Sequence, residues 1–269
     1  MKVIDCDAHV EECVETWQYL DPEFYLLRPI PVTFPEACFG THNAAWVIDY
    51  KLRFFAANPT TMKRPSEKDV PIPVQEIKRV KGLGSAAGIY ARGIEWHRPL
   101  THPEHWPIYE EVEHQDLPIT VHVGNGSSPM IREMFQGVPR PVYDDSRPHV
   151  HPLGTGLVSG PYVLYAFQQI LGSILLDDFP KLRVGFLEAG ADWTVRLVKG
   201  LRGKSNTIDQ WLAERVFVSC AINDDIPYIK SKVGDDFLVT ATDFPHGDAF
   251  RQDQLAKGLQ ARGDLTDKQ

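Results

Sequence analysis

Long apolar runs are missing from this sequence: no stretch approaches the roughly 20 residues that an apolar helix needs to cross a bilayer, so no membrane partner is expected. Cysteine is scarce, with Cys6, Cys13, Cys38 and Cys220 the only four and no CxxC pair among them. That spacing excludes a disulfide framework, and the thiols are expected to be reduced. Positive charge is in deficit, 28 Lys and Arg against 36 Asp and Glu, and no basic stripe interleaved with aromatics is present. A nucleic-acid partner is therefore not expected. In MKVIDCDAHVEE, acidic residues stand where a secretory leader needs an apolar centre, and the expected compartment is the cytoplasm.

What is present reads as one globular domain over residues 1–269, since 43% apolar and 24% charged residues suffice for a sizeable core. Six short runs are almost continuously apolar: VIDCDAHV from Val3, GIYARG from Gly88, PITVHVG from Pro118, LRVGFLEAG from Leu182, VFVSC from Val216 and FLVTATD from Phe237. Parallel strands buried on both faces have this composition. Helical periodicity lies between them, at 107–115, 163–176 and 193–202, and a polar helix is expected after Arg251. Strands alternating with helices imply right-handed βαβ units, and the expected fold class is α/β, a (β/α) barrel of the TIM type. A complete barrel has eight strands, so the six recognisable here predict a shortened or distorted one. The shortfall falls in an irregular insert at about 21–84, rich in Pro and aromatics. A β-hairpin is expected there at 46–55 with its turn near Asp49 and Tyr50, followed by a loop with Pro59, Pro65, Pro71 and Pro73. This insert is expected to cover the site or to pair two subunits as a homodimer.

Titratable residues gather where these strands end. In Asp7-Ala8-His9, side chains two apart along a strand point the same way, so a carboxylate and an imidazole can converge on one ion. His122 and Asp243 stand at the same end of other strands, and an open nitrogen and oxygen site of this kind suits a divalent metal, Zn²⁺ first and Mn²⁺ as an alternative. A lone strand-end His or Asp is more often a loop hydrogen-bonder. Four candidates at matching ends of three strands are harder to explain as unrelated caps.

Glu188, in FLEAG, is a candidate for proton transfer, its alternative being an acceptor of backbone N–H groups at a helix entry. His246, three residues after Asp243, reads as a catalytic residue that partners a ligand rather than as a ligand itself. Arg92, Glu95 and His97 follow the GIYARG strand and suit either an anionic small-molecule substrate or a local ion pair. His149 and His151 form an HxH between Pro148 and Pro152, a loop setting that favours substrate contact over metal binding. Trp193 is expected in the core or the pocket wall.

The segments IDCDAHV, LPITVHVG, FPKLRVGFLEAGADW and TDFPHGD resemble the amidohydrolase-related family that includes aminocarboxymuconate semialdehyde decarboxylase and γ-resorcylate decarboxylase. The resemblance implies a metal held by Asp7 and His9 from the first strand, His122 from a middle strand and Asp243 from the last, with Asp243 also orienting the reacting group. It departs at Glu188, where the family commonly has a proton-handling His, and it lacks one strand-helix-strand unit before QEIKRVKGLGSAAGIYARG. Three readings follow. The first is a hydrolase cleaving a C–N, C–O or activated C–C bond, with water acidified by the ion from ~15.7 to roughly 7. The others are a non-oxidative decarboxylase on the same site and a non-catalytic scaffold of the same fold, between which fold does not decide.

Overall fold

The computed structural model describes residues 6, 18, 22–33, 44–48, 50–53, 71–82, 84, 87–95, 98–123, 160–243 and 255–265. A 3-10 turn, Pro22–Leu27, leads into β1 (Ile30–Thr33), β2 (Ala44–Ile48) and β3 (Lys51–Arg53), an antiparallel sheet in the order β1-β2-β3. The expected hairpin is β2 and β3, turning through an exposed Tyr50 at φ 59°. β1 escapes a sequence reading because Pro31 interrupts it, yet it pairs with Trp46 on an edge strand, where a missing N–H is tolerated.

Next comes α1 (Pro71–Gly82), a helix where the prolines predicted a loop. Pro71 and Pro73 sit in its first turn, whose N–H groups have no partner within the helix, so residues that lack an N–H are tolerated there. The chain continues through β4 (Ile89–Arg92), a two-residue ladder of β5 (Ile94–Glu95) with β6 (Arg98–Pro99), α2 (Trp106–His114) and β7 (Pro118–His122). The helical stretch expected at 163–176 is two helices, α3 (Gly160–Gly172) and α4 (Leu175–Asp178). Ser173 divides them, its hydroxyl accepting from Leu175 N–H and donating to the Ile170 carbonyl, as serine does when it competes with a helix ladder. β8 (Arg183–Phe186), α5 (Thr194–Arg202), α6 (Ile208–Glu214), β9 (Val216–Cys220), α7 (Ile226–Val233), β10 (Leu238–Thr240) and α8 (Leu255–Ala261), with a 3-10 turn at Pro103–His105 ahead of α2, complete the described elements.

Five of the six runs read as buried strands form one parallel sheet in the order β10-β9-β8-β7-β4. The sixth, at the amino end, lies outside the described residues except for Cys6, whose N–H and thiol both meet the Thr240 carbonyl, at 3.4 and 2.8 Å. Among the described residues the sheet does not close into a barrel. Val121, Val184, Phe186, Val216 and Val218 are buried on it, and α3 covers it with Phe167, whose ring meets Phe186 at 5.1 Å.

Gly93 fixes how α3 meets the end of β4. A Cβ there would lie 2.1 Å from the Tyr162 carbonyl oxygen, a backbone atom that cannot swing away. Gly93→Ala is accordingly expected to destabilise by about 3 kcal/mol or more, the upper part of the overpacking range. Denaturant unfolding checks this.

His105 gives the fold a pH dependence. It is 2% exposed, and burial holds its imidazole below the usual value, the Glu95 and Glu104 carboxylates opposing that shift and His102 and Arg98 adding to it. A histidine harder to protonate folded than unfolded stabilises fully above its unfolded value of about 6.5 and loses that stabilisation as pH falls through it. His105→Gln is expected to flatten the stability decline between about pH 6.5 and 5. Urea midpoints across pH measure it.

Candidate active site

Because the five strands are parallel and in register, their carboxyl ends share one edge, the place where such sheets carry binding groups. Arg92 ends β4, His122 ends β7, Glu188 stands two residues beyond β8, Ser219 lies near the end of β9 and Asp243 stands three beyond β10. His122, Glu188, Ser219 and Asp243 are all buried, with 2–6% of their surface exposed. Burial of so many polar groups on one edge is costly unless they serve one another or a ligand.

His122 and Glu188 meet. The His122 Nδ1–H donates to the Val123 carbonyl at 2.8 Å, which leaves Nε2 as the lone-pair nitrogen of the neutral ring. That nitrogen faces Glu188 Oε2 at 3.1 Å. The Tyr90 hydroxyl also donates to the Val123 carbonyl, at 3.0 Å, and its ring lies 5.3 Å from the imidazole, so both fix the ring's orientation. A lone pair and a carboxylate oxygen repel unless a proton or a cation lies between them. Two donors at 2.0–2.2 Å from one ion, spaced by tetrahedral to octahedral angles, stand about 2.8–3.6 Å apart. The 3.1 Å separation suits a shared proton as well as an ion beside the two atoms, and the carbonyl behind Nδ1 is the partner that metal-binding histidines use.

Backbone strain singles out the two buried acids. Glu188 has φ 56° and Asp243 has φ 52°, in the left-handed region that costs a side-chain-bearing residue about 1–3 kcal/mol. The other described non-glycine residues with positive φ, Tyr50 and Asp116, lie in exposed turns. Glu188 is held by its own N–H, which donates to Ser219 Oγ at 3.0 Å.

Arg92 is paired in register with His122, so the two side chains leave the same face of the sheet. Its guanidinium grips Glu95 through Nε at 2.9 Å and Nη2 at 2.6 Å, and its backbone N–H donates to the same carboxylate at 2.8 Å. Burial pulls the Arg92 pKa down, but the Glu95 hydrogen bonds and charge outweigh it and the pKa rises. Trp193 sits beneath the Glu188 loop, its Nε1–H donating to the Ala189 and Gly190 carbonyls at 3.1 and 2.7 Å and its ring 5.0 Å from Phe167.

Asp7, His9, His97, His149, His151 and His246 lie outside the described residues. Among the described residues no three of His, Cys, Asp and Glu gather closely enough to hold an ion by themselves. Tyr90 and Ser219 were not legible as site residues, because a tyrosine or serine inside an apolar strand reads as ordinary strand composition.

No protein-family model and no curated protein matches the chain. Solved structures do. An amidohydrolase from Mycobacterium avium subsp. paratuberculosis K-10 superposes with a TM-score of 0.65 at 14% identity, covering 99% of this chain and 94% of that one. A 2,6-dihydroxybenzoate decarboxylase from Rhizobium gives 0.50 at 18% identity, over 75% of this chain and 64% of that one. 4-Oxalomesaconate hydratase from Rhodopseudomonas palustris gives 0.50 at 17%, over 80% and 58%. The chain thus has the fold of amidohydrolase-type structures, and its parallel sheet places the candidate site at the edge described above.

Proposed function

We propose that this chain is a metal-dependent enzyme of the amidohydrolase superfamily that hydrolyses a small organic substrate. The observation that carries the reading is the buried His122 Nε2 facing Glu188 Oε2 at 3.1 Å, with Nδ1 already committed to a carbonyl. In this proposal His122 and Asp243 hold the ion together with Asp7 and His9, and the sheet is an arc of a shortened (β/α) barrel. The contact of Cys6 with Thr240 supports that, since it sets Cys6, in the first of the six apolar runs, beside β10.

A bound divalent ion, zinc by preference and manganese as the alternative, supplies Lewis acidity and acidifies water. Glu188 takes the water proton and returns it to the leaving group, while Asp243 orients the reacting group and His246 partners it. Arg92, His97, His149, His151 and Trp193 are assigned to the substrate. Two costly backbone conformations at buried acids argue for this reading over a silent scaffold, which would carry the strain to no purpose.

A second reading, non-oxidative decarboxylation, draws on Arg92, a cation on the same face as His122 that suits a substrate carboxylate. The test is to incubate the purified, metal-loaded protein with panels of esters, lactones and amides and of aromatic and enol carboxylic acids. Hydrolysis of the first panel supports the proposal. Carbon dioxide release from the second without any hydrolysis replaces it with the decarboxylase.

For the assembly we propose a homodimer through the insert, where Phe24, Tyr25, Leu26, Leu27 and Ile30 are exposed. Light scattering that shows a monomer would remove it. A cytoplasmic location is proposed from the sparse cysteines, which include no CxxC pair. Burial pushes the Cys220 thiol up to about 11, which keeps it inert. No described helix is long and apolar enough to cross a membrane.

A further inference from the structure

Asp224 is a buried carboxylate that the proposed chemistry does not use. It is 7% exposed and sits in the loop between β9 and α7. Its neighbour Asp225 is an ordinary helix cap, accepting the Tyr228 N–H at 3.0 Å at the start of α7. Asp224 instead turns toward the neighbouring strand end. Its Oδ2 accepts the Ala191 N–H at 2.8 Å and the Ala221 N–H at 2.7 Å, so one oxygen ties the loop after β8 to the loop after β9. Gly190, at φ 63°, brings the chain close enough that a Cβ would lie 3.1 Å from Asp224 Oδ1.

The loop so tied is the one that carries Glu188 in its strained conformation. Ser219 holds its leading end through the Glu188 N–H, Trp193 closes over its carbonyls at Ala189 and Gly190, and Asp224 holds its far end at Ala191. From the other side Arg262, beyond α8, donates through Nη1 to the Ile222 and Asp224 carbonyls at 2.7 and 2.8 Å. Asp224 is thereby fixed from a third segment of the chain as well. A backbone conformation that costs energy persists only where its surroundings over-determine it, and these are those surroundings.

We propose that Asp224 is a positioning residue, the anchor that keeps Glu188 in register with His122 Nε2. Burial raises the Asp224 pKa, the two backbone N–H groups and Arg262 working against that rise, which matches a carboxylate kept for its hydrogen bonds rather than for solvent. The inference rests on the proposed site, in which Glu188 and His122 act together, and its test separates the two.

The first measurement is made on chelator-treated protein: the ¹H–¹⁵N correlation of the imidazole rings, with His122 assigned by its loss in His122→Gln. In Asp224→Ala the His122 Nε2 resonance is expected to move as Glu188 leaves it, and in Asp224→Asn, which still offers an oxygen to the same N–H groups, to return. Asp225→Ala is the control, since it removes the α7 cap and lowers Tm while leaving that resonance in place. If Asp224→Ala does not fold, Gly190→Ala decides, because its Cβ wedges the same loop away from Asp224.

The second measurement is Zn²⁺ affinity by chelator competition, expected to change by less than about 10-fold in Asp224→Ala or Gly190→Ala, because the group they release, Glu188, is the base and not a ligand. An unmoved His122 resonance in those variants, or a failure of Asn to restore it, overturns the positioning role. A parent protein that binds no Zn²⁺ would sink the proposed function instead, and the metal-free spectra would still decide for or against Asp224.

Discussion

In His122→Ala, the affinity for a divalent ion falls by more than about 100-fold, beyond the loss caused by removing a group that only orients a ligand. Turnover falls with it. The cause lies in the tautomer: the Val123 carbonyl takes the Nδ1 proton, so in the neutral ring the nitrogen beside Glu188 is the one with the lone pair and is the one that would meet an ion. Without the ring, Glu188 has lost the neighbour with which it shares a charge. His122→Ala should also be less stable than the parent in the presence of chelator, because it leaves a cavity and a buried Glu188 carboxylate without its neighbour. Isothermal titration with Zn²⁺ and a chelator-treated melt measure the two effects.

The second large effect is at Glu188. Glu188→Gln keeps the shape and one oxygen but cannot take up a proton, and turnover is expected to fall about 10²–10⁴-fold, the usual contribution of a positioned acid or base. Metal content should change far less than in His122→Ala. The two variants therefore part: one loses the ion and the chemistry, the other mainly the chemistry. Steady-state kinetics on the substrate identified from the panels, with elemental analysis of each variant, reads the difference. Equal loss of metal in both would make Glu188 a ligand rather than a base.

Much of the sheet was legible in the sequence because strands buried on both faces cannot hide their composition. The runs that became β4, β7, β8, β9 and β10 are apolar nearly throughout, and the residues that close them, Arg92, His122, Glu188 and Asp243, stand out against that background. The hairpin was legible for a related reason, a turn between two β-rich arms. What escaped was set by context. Pro31 in β1 and Pro71 and Pro73 in α1 read as breaks, and only an edge position and a first helical turn make them harmless.

The site divides the same way. His122 and Glu188 could be named from their place after an apolar run, but their contact depends on a φ of 56° that no pattern of residue types announces. Asp224 and Ser219 act on backbone N–H groups 31–33 residues distant in sequence. Such bonds leave no periodic trace. In AINDDIPY the two acids look alike, and the structure alone separates the helix cap Asp225 from the anchor Asp224.

If His122 holds a divalent ion beside Glu188, elemental analysis of protein purified without chelator will find that ion. The expected result is a stoichiometric divalent metal in the parent and its loss from His122→Ala after identical dialysis. A parent that takes up no zinc or manganese even when dialysed against either, or a His122→Ala variant that retains the parent's full complement, would refute the metal site at His122.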